Sequence, residues 1–235
     1  MKTIILAAGF GTRLYPLTLG CPKALLKVRG RHLIEHILEK LPKENNEIVV
    51  VSNGKFYGMF REWNKKHKEI RILNDNVLSN EERIGGMGDL WLAINKEKIN
   101  DDLLVVLGDN FFGFEVLDFV NEFVRNKKIM LGAYETSLEN AKKFGVVKSD
   151  GKGNLAGIEE KPANPDSNLI VVGLYAIPKE KIGRIREYIE SGKNREGVTY
   201  LIKDLVGKEK IKVHKFTGEW HDIGSLEDYK KLKNG

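Results

Sequence analysis

Apolar and polar positions follow two rhythms along this chain. Short, almost wholly apolar runs read as buried strands: "KTIILAA" at 2–8, "EIVVVSN" at 47–53, "IRIL" at 70–73, "DLLVVLGD" at 102–109 and "IMLGAYET" at 129–136. Between them the period lengthens to that of a helix. "LIEHILEKL" (33–41) sets Leu33, Ile34, Ile37, Leu38 and Leu41 on one face. "FYGMFREWNKKH" (56–67) carries an aromatic and methionine stripe of the kind that faces a core, "LWLAI" opens a further helix, and "VLDFVNEFV" another. Strand and helix therefore alternate through the first part of the chain, which predicts a parallel sheet covered by helices.

Beyond about residue 140 the pattern changes. "FGVVKSDGKGNLAGIEEKP" (144–162) holds two short strands around "DGKGN", which has the chemistry of a hairpin turn. "LIVVGLYAIP" (169–178) is a strand, 179–190 a helix, "TYLIKDLV" a helix, "KIKVHKF" a strand and "SLEDYKKLK" a closing helix. There is no internal repeat and no Pro/Ser-rich linker. The expectation is one α/β domain over 1–235, a Rossmann-like, mostly parallel sheet flanked by helices, with the hairpin as a small excursion.

Composition narrows the setting. The 235 residues can bury a core without disulfides, and the one cysteine, Cys21, has no internal partner, so a reduced, cytoplasmic location is expected. The net charge of +6 is spread rather than gathered into a block, which argues against nucleic acid as a partner. No apolar run approaches the ~20 residues of a membrane span. The N-terminus imitates a secretion signal, but its apolar run ends by Ala8, and Arg13 and Pro16 interrupt the residues after it. Glutamine is absent while Lys and Glu abound, a composition that suits a thermophile.

The stretch "LAAGFGTRLYPLT" (6–18) directly follows the first strand. Gly9 and Gly11 let backbone approach a ligand closely, and a run of exposed N–H groups there forms an anion nest. Arg13 adds a planar fork for phosphate oxygens, and Lys23 a point charge. A nicotinamide-binding loop would require a third glycine where Leu14 stands and an acid after the second strand, which instead ends "VSN". No segment carries the Gly-Lys-Ser/Thr ending of a nucleoside triphosphatase loop. Both common nucleotide loops are excluded, and the stretch reads either as a phosphate cradle of another kind or as a glycine turn with two solvated cations.

"LAAGFGTRLYPLT" with "CPKALLKVRG", then "LLVVLGDNFF", "FGVVKSDGKGNLAGIEEKPANPDSNLIVVGLYAIP" and "WHDIGSLEDY", strongly resembles the sugar-1-phosphate nucleotidyltransferases, above all the glucose-1-phosphate thymidylyltransferases. The resemblance runs through nearly the whole chain in the family's order. It implies attack by a sugar-1-phosphate oxygen on the α-phosphorus of a nucleoside triphosphate, with release of pyrophosphate. It implies a nucleotide-binding half near 1–135 and a sugar-phosphate-binding half near 136–235. Leu6, Ala7, Ala8, Gly9, Gly11 and Thr12 would wrap the nucleotide, with Asn74 and Gly86 at its base. Arg13 and Lys23 would meet the phosphates and Lys161 the sugar phosphate. Gly145, Glu160 and Gly173 would meet the sugar, and Asp109 and Asp222 would hold Mg²⁺. The partners implied are these two substrates, with no membrane and with room for a homo-oligomer. His221, beside Asp222, reads as a packing residue, because a phosphate oxygen needs no base.

The segment "NDNVLSNEERIGGMGDLWLA" (74–93) departs from the thymidylyltransferases, which resemble each other in a glutamine after the third strand. Here Asn74, Asp75 or Asn76 would face the base, Gly85, Gly86 or Gly88 would lie against it, and Asp89 reads as the helix N-cap. The expected substrate is dTTP or UTP with a hexose-1-phosphate. "GDLWLA" is also similar to cytidylyltransferases for inositol or choline phosphate, which makes CTP the alternative. A silent sugar-nucleotide-binding regulator is the alternative of another class, opposed by the intact Arg13, Lys23, Asp109 and Asp222. Many relatives carry C-terminal extensions, and with none after "KKLKNG" an acetyltransferase part is not expected.

Overall fold

The computed structural model describes residues 1–44 and 46–234. The first strand, β1 (Lys2–Leu6), alternates so that Ile4 enters one core and Ile5 the other. After the glycine loop come a small ribbon, β2 (Lys27–Val28) with β3 (Arg31–His32), and helix α1 (Leu33–Lys40). There follow β4 (Glu47–Ser52), α2 (Tyr57–Trp63), β5 (Arg71–Asn74), α3 (Gly86–Lys96), β6 (Leu103–Leu107), β7 (Asn110–Phe112), α4 (Leu117–Asn126) and β8 (Ile129–Glu135). The rest is α5 (Leu138–Ala141), β9 (Gly145–Ser149), β10 (Leu155–Glu160), β11 (Leu169–Ile177), α6 (Ile182–Glu190), α7 (Val198–Leu205), β12 (Ile211–Phe216), β13 (Trp220–Asp222) and α8 (Leu226–Asn234).

Strands β5, β4, β1 and β6 lie side by side and parallel, as alternation in the sequence predicts. β11 then runs antiparallel to β6, and β8 antiparallel to β11, with β12 parallel to β8 beyond it. One mixed, mostly parallel sheet thus runs through both halves of the chain. Helices α3, α6 and α7 cover one face, where Met87, Leu90, Ile185 and Leu201 meet Ile4 and Val105. Helices α1, α2 and α4 cover the other, where Ile37, Phe60 and Phe119 meet Ile5 and Val106. No helix among the described residues is long and apolar enough to cross a membrane.

Two features position the site. First, β11 shares one edge between two partners: Leu174–Ile177 pair with β6, while Ile170 pairs with Val146 of β9. The β9–β10 hairpin therefore splays from the sheet beside Gly173 and opens a cleft. A side chain at Gly173 would meet Leu107 Cβ at 2.6 Å and Asn110 Nδ2 at 2.7 Å, so the close approach of β11 to the end of β6 requires glycine. Second, a satellite core of Leu14, Leu26, Val28, Phe111, Ile223, Tyr229 and Leu232 fastens α8 onto the glycine loop and the β2–β3 ribbon. The Tyr229 hydroxyl closes it by donating to the Lys27 carbonyl at 2.9 Å.

Candidate active site

The glycine loop is held by the chain around it. Gly11 is left-handed (φ 63°), and its carbonyl accepts from the Leu14 amide at 2.8 Å and the buried Thr18 hydroxyl at 2.7 Å. Thr12 opens the one-turn 3₁₀ segment Thr12–Leu14, with Leu14 fully buried beneath it. Asn53, itself buried, donates to the Ala8 carbonyl at 2.8 Å and accepts the Phe56 amide at 2.9 Å. This is the "VSN" residue whose lack of charge excluded a dinucleotide loop. Its work is to tie the glycine loop to the end of β4. Only the residue type, an amide at a strand end, hinted at it.

Leu6, Ala7, Ala8, Gly9 and Gly11 line a cavity of about 280 Å³ at the carboxyl ends of β1 and β6. Lys23 and Asp109 close one side of it, and Gly86 lines the other. Open α/β sheets bind ligands at such strand ends. Asp109 also lines a second cavity, of about 160 Å³, on the far side of the β6 terminus. There it meets Arg13, Gly145, Glu160, Lys161, Gly173 and Asp222. The residues expected to hold sugar and sugar phosphate are thus brought together in one cleft. Arg13, expected on the nucleotide, stands in this second cleft instead.

The two cavities meet at an ion pair. Lys23 Nζ lies 3.0 Å from Asp109 Oδ2, with 13% of the lysine side chain exposed. Burial alone would push the Asp109 carboxyl up, but the Lys23 ammonium and its hydrogen bond outweigh this and hold it below its ordinary value. Asp222 is placed by its strand: β13 pairs with β7 so that Asp222 stands opposite Asn110, and the Ile223 amide donates to the Asp109 carbonyl at 3.0 Å. Burial, and then the negative charge of Asp109, push the Asp222 carboxyl up to about 7. Two hard carboxylates converge beside Lys23 and Arg13. Among the described residues there is no cluster of three or more His, Cys, Asp or Glu placed to hold a metal. A pair of carboxylates is the protein share that Mg²⁺ takes when phosphate oxygens and waters complete its shell, so the donor set fits that ion.

The sugar-side cleft has walls that sequence reasoning did not single out. Lys143, Phe144, Tyr175, Thr199 and Trp220 line it. The Trp220 indole N–H donates to Asn110 Oδ1 at 2.8 Å, and Tyr175 shares a 2.8 Å hydrogen bond with Thr199. Glu160 carries a raised carboxyl because it is buried, with Lys161 offsetting part of the effect. Lys161 is itself left-handed (φ 48°), and its amide donates to the Phe144 carbonyl at 2.9 Å, closing the hairpin base. His221 contacts Glu219 at 3.0 Å and lies tilted against Phe111, as a packing residue does.

The base-side loop differs from expectation in two places. Asn74 does not line the first cavity. Its carboxamide accepts the Asn76 amide at 2.8 Å in a local turn, and Asp75 faces the cavity in its place. Asp89 is not the N-cap. Helix α3 begins three residues earlier, at Gly86, because the carbonyls of Arg195 and Glu196 accept the Met87 and Gly86 amides at 2.9 and 3.1 Å. The first amides are satisfied by another segment, so no capping side chain is needed. Asp89 instead lies in the first turn of α3, buried, and lines the cavity.

The nucleotidyl transferase family matches residues 2–235, and the chain belongs to that family. It is 33% identical over 224 residues to the bifunctional protein GlmU of Methanocaldococcus jannaschii, covering 95% of this chain and 51% of that protein. It is 30% identical over 238 residues to a protein of Sulfolobus acidocaldarius provisionally named a mannose-1-phosphate guanyltransferase, covering 99% and 62%. The chain thus spans about half to three-fifths of these relatives. Among solved structures, a provisionally named glucose-1-phosphate thymidylyltransferase of Bacillus anthracis, in complex with sucrose, superposes with a TM-score of 0.84 at 25% identity, covering 100% of this chain and 94% of that one. A UDP-glucose pyrophosphorylase complexed with UDP-glucose shares the fold, with a TM-score of 0.79 at 21% identity, covering 99% and 97%.

Proposed function

We propose that this nucleotidyl transferase joins a nucleoside triphosphate to a hexose-1-phosphate, releasing pyrophosphate and yielding a nucleoside-diphosphate sugar. The observation that carries the reading is Asp109, paired with Lys23, standing at once in the wall of the glycine-loop cavity and of the sugar-side cleft. A triphosphate in the first and a sugar phosphate in the second meet there.

In the proposed step an oxygen of the sugar phosphate forms a bond to the α-phosphorus. The bond from that phosphorus to the bridging oxygen breaks, and its electron pair leaves with pyrophosphate. Gly9 and Gly11 bring backbone amides to the triphosphate. Lys23 neutralises charge that grows on the α-phosphate, and Arg13 and Lys161 hold the attacking phosphate against its own repulsion. Glu160 and Thr199 orient the sugar hydroxyls, and Trp220 and Phe144 keep water from that side. Asp109 and Asp222 would hold Mg²⁺, which supplies positive charge to the transferring and leaving phosphates.

The expectation of dTTP or UTP is supported by the resemblance and by the Bacillus anthracis structure. The Sulfolobus relative's name points to a guanyl group instead. The relatives' names include mannose and, in one bifunctional protein of Sulfurisphaera tokodaii, sugar-1-phosphate without further definition, which supports the sugar phosphate more firmly than any one sugar. The test is pyrophosphate release with Mg²⁺ from each of ATP, GTP, CTP, UTP and dTTP, crossed with glucose-, mannose-, N-acetylglucosamine-, inositol- and choline-phosphates. Turnover is expected with a sugar phosphate. Turnover confined to inositol or choline phosphate would replace the hexose, and none from any pair would end the reading.

A further inference from the structure

The far end of the glycine-loop cavity is lined by two acids, Asp75 from the end of β5 and Asp89 from the first turn of α3. Both are held rigidly. Asp75 Oδ1 accepts the Val77 amide at 2.7 Å, fixing the turn after β5. Asp89 sits on a helix start clamped by the 195–196 carbonyls. Gly85, just before it, is left-handed (φ 77°), and a side chain there would reach the Arg195 carbonyl at 2.2 Å. Arg83 forms a forked pair with Glu196 across the same opening, at 3.1 and 3.2 Å.

Asp89 is 7% exposed, and its Oδ1 accepts no N–H among the described residues. The Asp75 and Asp89 carboxyls lie within hydrogen-bond reach of each other. Two carboxylates so placed share one proton. That proton is engaged between them, so the pair keeps one negative charge and offers only acceptor oxygens to whatever enters the cavity. With that proton held between them, the oxygens of the pair that face the cavity can only accept, which marks this end as a place for a ligand's N–H groups.

The position says which part of the ligand arrives there. Triphosphate at the glycine loop lies at the end of β1. β4 is the next strand and β5 the one beyond, so Asp75, just past β5, stands about two strand spacings away, on the order of 10 Å, with Asp89 lining the same end. One spacing accommodates ribose, and the second brings the far edge of the base to the acids. Uracil and thymine present there one N–H between two carbonyl oxygens, which would be set against carboxylate oxygens. Cytosine, adenine and guanine present an exocyclic amino group.

We infer that the Asp75–Asp89 pair is the base-reading element of this protein, and that it selects nucleotides whose base bears an exocyclic amino group over those of uracil and thymine. This rests on the triphosphate occupying the glycine-loop cavity, as proposed above, and it runs against dTTP or UTP as substrate. The CTP alternative and a guanyl or adenyl group both remain within the class, because the shared chemistry is the amino group.

The experiment is equilibrium binding of nucleoside diphosphates to the full chain by calorimetry, which needs no turnover. CDP against UDP, and ADP against IDP, exchange the amino group for a carbonyl oxygen. GDP against IDP deletes it. In the partner with the amino group, binding is expected to be roughly tenfold to hundredfold tighter for at least one pair. Asp89→Asn supplies an amide with both donor and acceptor, and it is expected to bring CDP and UDP within about threefold of each other, with Asp75→Asn as the second variant. Equal or tighter binding of UDP or dTDP to the wild type overturns the inference while leaving nucleotidyl transfer intact. Equal binding of all bases with loss on 2′-deoxygenation assigns the acids to ribose and overturns it too. No binding of any diphosphate removes the nucleotide cavity, and the inference with it. Base-selective binding without pyrophosphate release in the assay above sustains the inference and overturns only the transfer reaction.

Discussion

Asp89→Asn should make the protein more stable, and the sign comes from the environment of this one carboxyl. Burial, then the charge of Asp75 and the hydrogen bond to it, push Asp89 from 3.8 up to about 8. Below pH 4 the group is protonated in both folded and unfolded chains and makes no difference. As pH rises from about 4 to about 8 the unfolded chain releases this proton while the folded chain keeps it, so the stability it contributes is lost through that window. At pH 7 the loss is about 4 kcal/mol if the group acts alone. Asparagine never titrates, and its amide donates to Asp75. Its buried polar atoms still lack a full set of partners, which returns about 1–2 kcal/mol. The net gain is therefore about 2 kcal/mol at pH 7, or roughly 4–8 °C in melting temperature for a chain of this size. The other charged groups that face the pair are Lys96 from the end of α3, and Arg83, Glu196, Lys23 and Asp109 at the cavity wall. They are common to both proteins and cancel in the comparison. The assay is thermal unfolding of both proteins at half-unit steps from pH 4 to pH 9. The variant's advantage should be absent near pH 4 and grow to a plateau above pH 8. A constant difference across the range, or a less stable variant at pH 7, would refute the shared-proton reasoning.

Single contacts yield further expectations. Gly173→Ala places a methyl 2.6 Å from Leu107 Cβ at the sheet split; it should cost about 1–3 kcal/mol in denaturant titrations and raise KM for the sugar phosphate more than for the triphosphate. Lys23→Ala removes the cation that offsets Asp109, and kcat for pyrophosphate release should fall by roughly a hundredfold or more in stopped assays. Asn53→Ala breaks the bonds to Ala8 and Phe56; it should lower stability by about 1–3 kcal/mol by urea unfolding and weaken triphosphate binding, whereas an unchanged midpoint would remove Asn53 as the anchor of the loop. Arg29→Ala breaks the forked pair with Glu219, which is about a third exposed on each side, and should shift stability by less than about 1 kcal/mol, a shift that salt erases.

The elements legible in the sequence were those whose own residues decide their state. Ile4 and Ile5, Val49 to Val51 and Val105 and Val106 are apolar on both faces because the sheet is covered on both faces, and such runs identify themselves. The glycine loop, Asp109 and Asp222 were legible through motif, and the structure brings them together. The features that escaped depend on distant partners. Gly86 and Gly88 have weak helix signals, yet they lie in the first turn of α3 because Arg195 and Glu196, more than a hundred residues later, cap it. The strands β7 and β13 are three residues each, too short for any period to show, and exist because each pairs the other. The Asp75–Asp89 pair was hidden for the same reason: a sequence does not say that two acids fourteen positions apart will face one cavity.

The packing of α8 on the glycine loop gives synthesis a clock. Leu14 and Val28 emerge from the ribosome early, and Ile223, Tyr229 and Leu232, which cover them, much later. Asp109 is likewise made long before Asp222, whose strand must find β7 across more than a hundred residues. At 5–20 residues per second, that interval is roughly 5–20 s. During it a nascent chain carries the glycine loop with Leu14 uncovered and Asp109 at the end of β6 without Asp222. The cleft is complete only when β13 and α8 have docked, so a chain stalled or clipped before residue 220 is expected to hold most of the sheet without the Asp222 wall of the cleft.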